Sequence, residues 1–193
     1  MGIFNSHRGD ANRVTSWASS GRTGDLKGLH LSDKTLNGVD LKGADLSGSD
    51  LSSSSLEAAQ LSGAKLVGAK LVHARLNRAG ARDVDFSSAN LEGADFGDAN
   101  LYAARFRDAN LTGARFPRTD MSECDLSGAN LRGAFLSGAN LRDAKLNGAH
   151  VEGARLEEAH LEGADLTGTG LTPARLTRHE PEMAACPECG GDG

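Results

Sequence analysis

Large apolar residues return at every fifth position from Leu26 to Leu176, giving 31 consecutive centres in one unbroken register. A small residue, usually Ala, stands two places before each centre, and the intervening positions are mostly polar or Gly. The stretch DLKGADLSGSDLSSSSLEAAQ, from Asp40 to Gln60, shows the pattern. Ala81 is the only small centre; the others are Leu, Phe, Met121 or Val151. Internal repetition on this scale fixes the architecture before any local propensity is considered.

A period of five excludes the two ordinary elements. In an α-helix, five residues turn through about 500°, so the centres would face every direction. In a flat strand, an odd spacing throws successive centres onto opposite faces. A chain that bends by the same angle after every unit can point all of them at one axis. Gly occupies the position two after the centre in about half the units, for example Gly28, Gly38, Gly43 and Gly48. It admits the positive φ of a tight turn. Asp83, Asp98, Asp108 and Asp143 occupy the same position, and Asp tolerates that region better than most residues. The pattern predicts a solenoid.

ADLSG, ANLEG, ADFGD, ANLTG, ANLRG and ADLTG resemble the pentapeptide-repeat family, whose pattern is A(D/N)LXX, over about four-fifths of the chain. The resemblance implies an all-β fold: a right-handed quadrilateral parallel β-helix with four units, or 20 residues, per coil. Thirty-one units then make about eight coils. At roughly 4.8 Å per strand, the rod would be about 37 Å long.

The chain divides into residues 1–23, 24–178 and 179–193. The first is read as a short capping segment. Asp10 would cap a helix running to about Ser19, with Val14, Trp17 and Ala18 on one face and Trp17 as a lid over Leu26, Leu29 and Leu31. In the first units Leu29, Lys34 and Val39 occupy the small site, which predicts a distorted first coil with Lys34 reaching solvent. The last segment is read as a flexible tail ending in Cys186-Pro-Glu-Cys189. Met1 to Ser6 matches an N-myristoylation pattern but lacks a neighbouring polybasic run or Cys, so it is read as a plain N-terminus. No apolar run is long enough for a secretory signal or a membrane span.

Position modulo 20 assigns the centres to four sides, named here first to fourth through Leu26, Leu31, Leu36 and Leu41. The expected core includes Leu26, Leu46, Ala81, Phe86, Phe96, Phe106, Phe116 and Met121. Phe86 and Phe106 fall on the first side, Phe96 and Phe116 on the third. Their rings balance the undersized Ala81. Outside the core, the residue before each first-side centre alternates in sign from Asp45 through Lys65, Asp85, Arg105, Asp125 and Lys145 to Asp165. Such a ladder relieves like-charge stacking. On the third side, Phe135 lies between Arg115 and Arg155 and is read as sandwiched by guanidinium groups, or as a hot spot for a partner.

Residues 24–178 carry 21 acidic and 18 basic groups, a net of −3. The fourth side is the most acidic, holding Asp40, Asp83, Asp120, Glu123, Asp143 and Glu162, opposed by Lys42, Arg82 and Arg142. Asp40 lies outside the candidate interaction surface, which the other five acids form with Tyr102 and Phe135. The resemblance brings in one sharp function, because some members of the family mimic duplex DNA and protect type II topoisomerases from quinolones. DNA carries about one charge per 1.7 Å, roughly twenty over such a rod, far more than this chain. The register also lacks the projecting loops of the plasmid-resistance members. Direct nucleic-acid binding is disfavoured, since acids interrupt the basic groups and outward aromatics are few.

No nucleophile–base pairing is apparent, and the six His fall on different sides or in the tails. Cys186, Cys189 and His179 are the only metal candidates, one ligand short of a structural zinc site. No cofactor is expected. The sequence therefore reads as a non-catalytic interaction scaffold, cytoplasmic and bacterial, with an unidentified protein partner and a homodimer through the C-terminal end as one arrangement. A topoisomerase modulator is the second reading, and a dimer joined by zinc at the tail the third.

Overall fold

The structure, a computed structural model, describes residues 6–22 and 24–171. Parallel bridges join each residue that precedes a centre to the residue 20 positions on, from His30–Asp50 to Lys145–Asp165. The chain therefore returns over itself every 20 residues as a β-solenoid. Each bridge is isolated, so every side contributes a single ladder position per coil.

The unit Asp85–Ala89 accounts for its backbone donors one by one. Asp85 N–H donates to Ala64 O (2.9 Å) in the preceding coil, while Phe86 and Ser88 donate to Arg105 O (2.7 Å) and Arg107 O (2.8 Å) in the next. Ala89 N–H closes a turn on Phe86 O at 3.0 Å. The fifth donor, Ser87 N–H, reaches the Asp85 carboxylate at 3.0 Å. Asp50, Asn100, Asn110 and Asp120 hold the corresponding N–H in the same way. An Asx side chain two residues earlier can reach such a donor, which explains the Asp or Asn before the centre.

The turns have positive φ at their third residue. Every position two after a centre, from Gly28 to Gly168, lies in the left-handed region at 52–78°. Gly, Asp and Asn suit this conformation, but Ala58 and Arg118 also adopt it, at 55° and 52°. There the ladders on both sides over-determine the backbone.

Inside, the centres are buried from Leu26 to Val151 and the small sites from Ala44 to Ala149. Phe86 stacks on Phe106 with centroids 5.2 Å apart, and Phe96 on Phe116 at 5.1 Å. The two stacks meet edge to face at 5.9 and 6.2 Å, a favoured aromatic arrangement. Where a hydroxyl occupies the small site it donates inward: Ser49 to Leu26 O, Ser54 to Leu51 O and Thr119 to Phe96 O. Among the described residues no buried side-chain polar atom lacks a partner.

Before the solenoid lies helix α1, Ser6–Ser19. Val14 and Trp17 are buried in the same cluster as Leu26 and Leu29, and Ala18 is half-buried. Two sequence expectations are corrected here. Asp10 does not start the helix but lies within it, because its carboxylate accepts the His30 N–H at 2.9 Å. That donor would otherwise need a preceding coil. The first coil also keeps its register, bridging His30–Asp50, Thr35–Ser55 and Asp40–Gln60. Only its turn bonds lengthen, to 3.3 Å at Lys34 and Val39, while Lys34, half-buried, does keep access to solvent. At the other end Leu156, Leu161, Leu166 and Leu171 are only partly buried. Residues 1–5 and 172–193, including the Met1–Asn5 part of the myristoylation pattern and Leu176, lie outside the described residues.

Two predictions follow from this packing. Ala81 is fully buried beside the Phe stacks, so Ala81→Leu should overpack the coil and cost about 1–3 kcal/mol in chemical denaturation. Stabilisation would mean that the rings leave room there. The second concerns pH: hydrogen bonds from Ser47, Ser52 and Thr167 hold the carboxyls of Asp45, Asp50 and Asp165 below their usual range. Depressed values contribute stability that is present above the unfolded pKa of about 3.9 and lost as pH falls through the folded values. The melting temperature should hold from pH 7 to about 5 and drop below about 4; a flat profile down to pH 2 would contradict this.

Candidate interaction surface

The solenoid separates the fourth-side candidates by turn position. Asp83, Glu123 and Asp143 occupy the left-handed corner at φ 55°, 59° and 56°. Their side chains therefore leave from one edge of the rod, and among the described residues none of the three is within ion-pair distance of a base. Asp143 Oδ1 lies against Gly163, where any larger residue would collide with it.

Asp120 and Glu162 are already engaged. Asp120 stands in the bridge column Asn100–Asp120–Asn140. It accepts from the Ser122 N–H (3.2 Å), the Ser122 hydroxyl (2.6 Å) and the Asn140 amide (3.0 Å). Glu162 pairs with Arg142 at 3.1 Å and lies 3.9 Å from His160. Both carboxylates serve coil-to-coil cohesion.

Tyr102 is half-buried, with the Arg82 guanidinium over its ring at 4.4 Å. The Glu123 carboxylate beside it favours the protonated phenol and raises its pKa. Phe135 belongs to a different side, where Arg115 lies 5.2 Å and Arg155 4.8 Å from the ring centroid. The candidate residues thus form two patches. One is the acidic corner with Tyr102, the other the Phe135 column.

Sequence periodicity located the columns but not their ion pairs. On the first side Asp85 meets Arg105 at 3.7 Å, but Asp45 pairs with Lys27 (3.2 Å) and Asp125 with Arg107 (2.9 Å). Long basic side chains cross to the neighbouring position because the Asx bond holds each carboxylate toward the turn. The bidentate pair Arg118–Asp98, at 2.7 and 2.8 Å, was also missed. Its signal was the spacing of 20. Arg118 holds the Asp98 carboxyl below its usual range.

The remaining candidates are structural or undescribed. The expected core residues are buried, and Trp17 is 8 % exposed. Cys124 is fully buried, its thiol donating to Leu101 O at 3.0 Å, and burial raises its pKa far enough to keep it inert. Cys186, Cys189 and His179 lie outside the described residues. A cleft of about 430 Å³ separates α1 from the first coil, lined by Asn12, Arg13, Trp17 and Asp25 among others.

The coil repeat, the left-handed corners and the Leu/Ala interior define a repeat β-solenoid. The chain belongs to the pentapeptide-repeat family, whose model, Pentapeptide repeats, matches in eight copies over residues 25–57, 59–98, 82–118, 99–138 and 136–172. Two trypsin-treated variants of QnrB1, a plasmid-mediated fluoroquinolone resistance protein, share the fold. One is 22% identical over 79% of this chain and 81% of that chain, with a TM-score of 0.60. The other is 23% identical over 78% and 85%, with a TM-score of 0.55. HetL, a pentapeptide repeat protein involved in heterocyst differentiation regulation from the cyanobacterium Nostoc, is 27% identical over 89% of this chain and 99% of that chain, with a TM-score of 0.28. No curated protein sequence matches the chain. Among the described residues, no helix is long and apolar enough to cross a membrane.

Tyr102 is the only tyrosine, so its ionisation can be followed at 295 nm without overlap. The midpoint should lie above the ordinary value near 10, and Glu123→Gln should bring it down. An unchanged midpoint in that variant would remove Glu123 from the Tyr102 environment.

Proposed function

We propose that the chain is a non-catalytic protein–protein interaction scaffold: a right-handed, four-sided rod of about eight coils, covered at its N-terminal end by α1. The observation that carries this reading is the mounting of Tyr102. Arg82 covers its ring on a backbone fixed by ladders in both directions, with Glu123 beside it and Asp83 and Asp143 along the same corner. A rigid aromatic with a polar rim is the usual anchor of a protein interface. Catalysis is not part of the proposal, because among the described residues no nucleophile stands beside a base and His150 and His160 are exposed on different sides. A bacterial cytoplasm suits a chain with a reduced buried thiol. A homodimer through the partly buried Leu156, Leu161, Leu166 and Leu171 is compatible with this reading, as is a zinc link through Cys186 and Cys189.

The second reading is modulation of DNA gyrase or a related topoisomerase. Its support is the fold shared with QnrB1 over about four-fifths of both chains. The interleaved charges count against it, since the most acidic side spends Asp120 and Glu162 on its own neighbours.

Photo-crosslinking in cells tests the scaffold. A benzophenone amino acid at position 102 should give a discrete protein adduct, whereas one at Thr112 on the second side should not. No adduct from position 102, or equal labelling from both, would sink the proposal. In a supercoiling assay with and without quinolone, the purified chain should leave gyrase unaffected even in large excess. Inhibition or rescue would replace the scaffold reading with the topoisomerase one.

A further inference from the structure

The arginines of the solenoid and α1 divide cleanly. Arg82, Arg115 and Arg155 have no carboxylate within ion-pair distance among the described residues, and they are the arginines over the outward rings of Tyr102 and Phe135. Every other arginine with a described side chain lies within 4.0 Å of a carboxylate. Around Phe135 the two guanidinium groups belong to one bridge column, Arg115–Phe135–Arg155. A guanidinium stacked on a ring keeps its N–H donors free at its edge, and stacking removes much of the side-chain freedom that binding would otherwise have to freeze.

We propose that Arg115, Phe135 and Arg155 form a docking element for an acidic helix of a partner protein. Two carboxylates of that helix, two turns apart, would meet the two guanidinium groups, and an apolar side chain between them would rest on the exposed edge of the Phe135 ring. This rests on the interaction-scaffold reading and names the partner's chemistry.

The spacing selects the ligand. The centroid distances of 5.2 and 4.8 Å limit the two guanidinium carbons to a separation of about 10 Å. Residues i and i+7 of an α-helix lie about 10.5 Å apart along its axis and share a face, with i+3 and i+4 between them. Carboxylates accept from guanidinium in the bidentate geometry that favours Arg over Lys. The surroundings select protein over nucleic acid. Asp95 precedes Arg115 in the column, and Glu158 follows Arg155 on the same side. These acids repel a polyanion of uniform charge density but leave room for two discrete carboxylates. The Arg118–Asp98 pair on the same side is internally neutral and is not part of the element.

The probe is a fluorescein-labelled, alanine-based helical peptide with Glu at i and i+7 and Leu at i+3 and i+4, titrated with the full chain by anisotropy. The Glu peptide should bind about tenfold more tightly than its Gln counterpart, and Arg115→Gln or Arg155→Gln should each weaken it about fivefold. Arg118→Gln should leave it unchanged. All three arginines are exposed, so thermal melts of the variants should superimpose. Equal affinity for the two peptides, or affinity indifferent to Arg115→Gln and Arg155→Gln, would overturn the docking element. So would displacement of the peptide by a single-stranded DNA oligonucleotide at lower concentration than unlabelled peptide requires. If the peptide fails while position 102 still gives its cellular adduct, the element is wrong and the scaffold reading stands.

Discussion

Among the described residues, the N–H that follows the centre finds no backbone carbonyl in a neighbouring coil, because the chain is turning there. Pro117 has no such donor, and Glu57 N–H reaches the Asn37 side chain of the preceding coil instead. In the Asp85 unit this donor is Ser87 N–H, and the Asp85 carboxylate accepts it. The rest of the architecture accommodates that constraint. The Asx side chain holds the first half of the corner, the positive φ two residues after the centre completes it, and the centre then faces inward. Lys65, Lys70 and Arg75 occupy the Asx position without being able to accept, so the ladder bonds above and below keep those corners in shape.

Burial then selects which sequences can fill the turns. A corner of fixed geometry leaves an interior of nearly constant width, so a ring in one coil requires a small or flat neighbour in another. Phe86, Phe96, Phe106 and Phe116 satisfy this by stacking in two parallel pairs that meet edge to face. Ala81 is the residue that yields space. Hydroxyls at Ser49, Ser54 and Thr119 enter the same interior at little cost because each donates to a carbonyl within reach.

Much of this was legible in the sequence because a strict period turns position into place. Bridges such as Asp45–Lys65 and Arg115–Phe135 follow from counting by twenty, and so does the grouping of the four Phe. What counting could not supply was the direction of flexible side chains. Lys27 and Arg107 reach Asp45 and Asp125 from a neighbouring position, and Asp120 turns inward along the surface toward Ser122 and Asn140 rather than outward. Asp10 was misread because its partner, the His30 N–H, is local neither in sequence nor to the helix. The acidic corner of Asp83, Glu123 and Asp143 could have been separated from Asp120 and Glu162, since those three share the left-handed position.

The constant offset of twenty residues also bears on how the chain reaches this state. Antiparallel sandwiches and barrels fold slowly because their strands pair across long and unequal stretches of chain. Here each new coil closes a loop of the same short length onto a template already formed, so the entropic cost of each step is small and uniform. Folding can then spread from one coil to the next like a zipper, and opening can retrace it from the end where Leu156, Leu161, Leu166 and Leu171 are least covered. Amide exchange should consequently be graded along the axis, slowest around the aromatic stacks and fastest toward that end, in place of a single global rate.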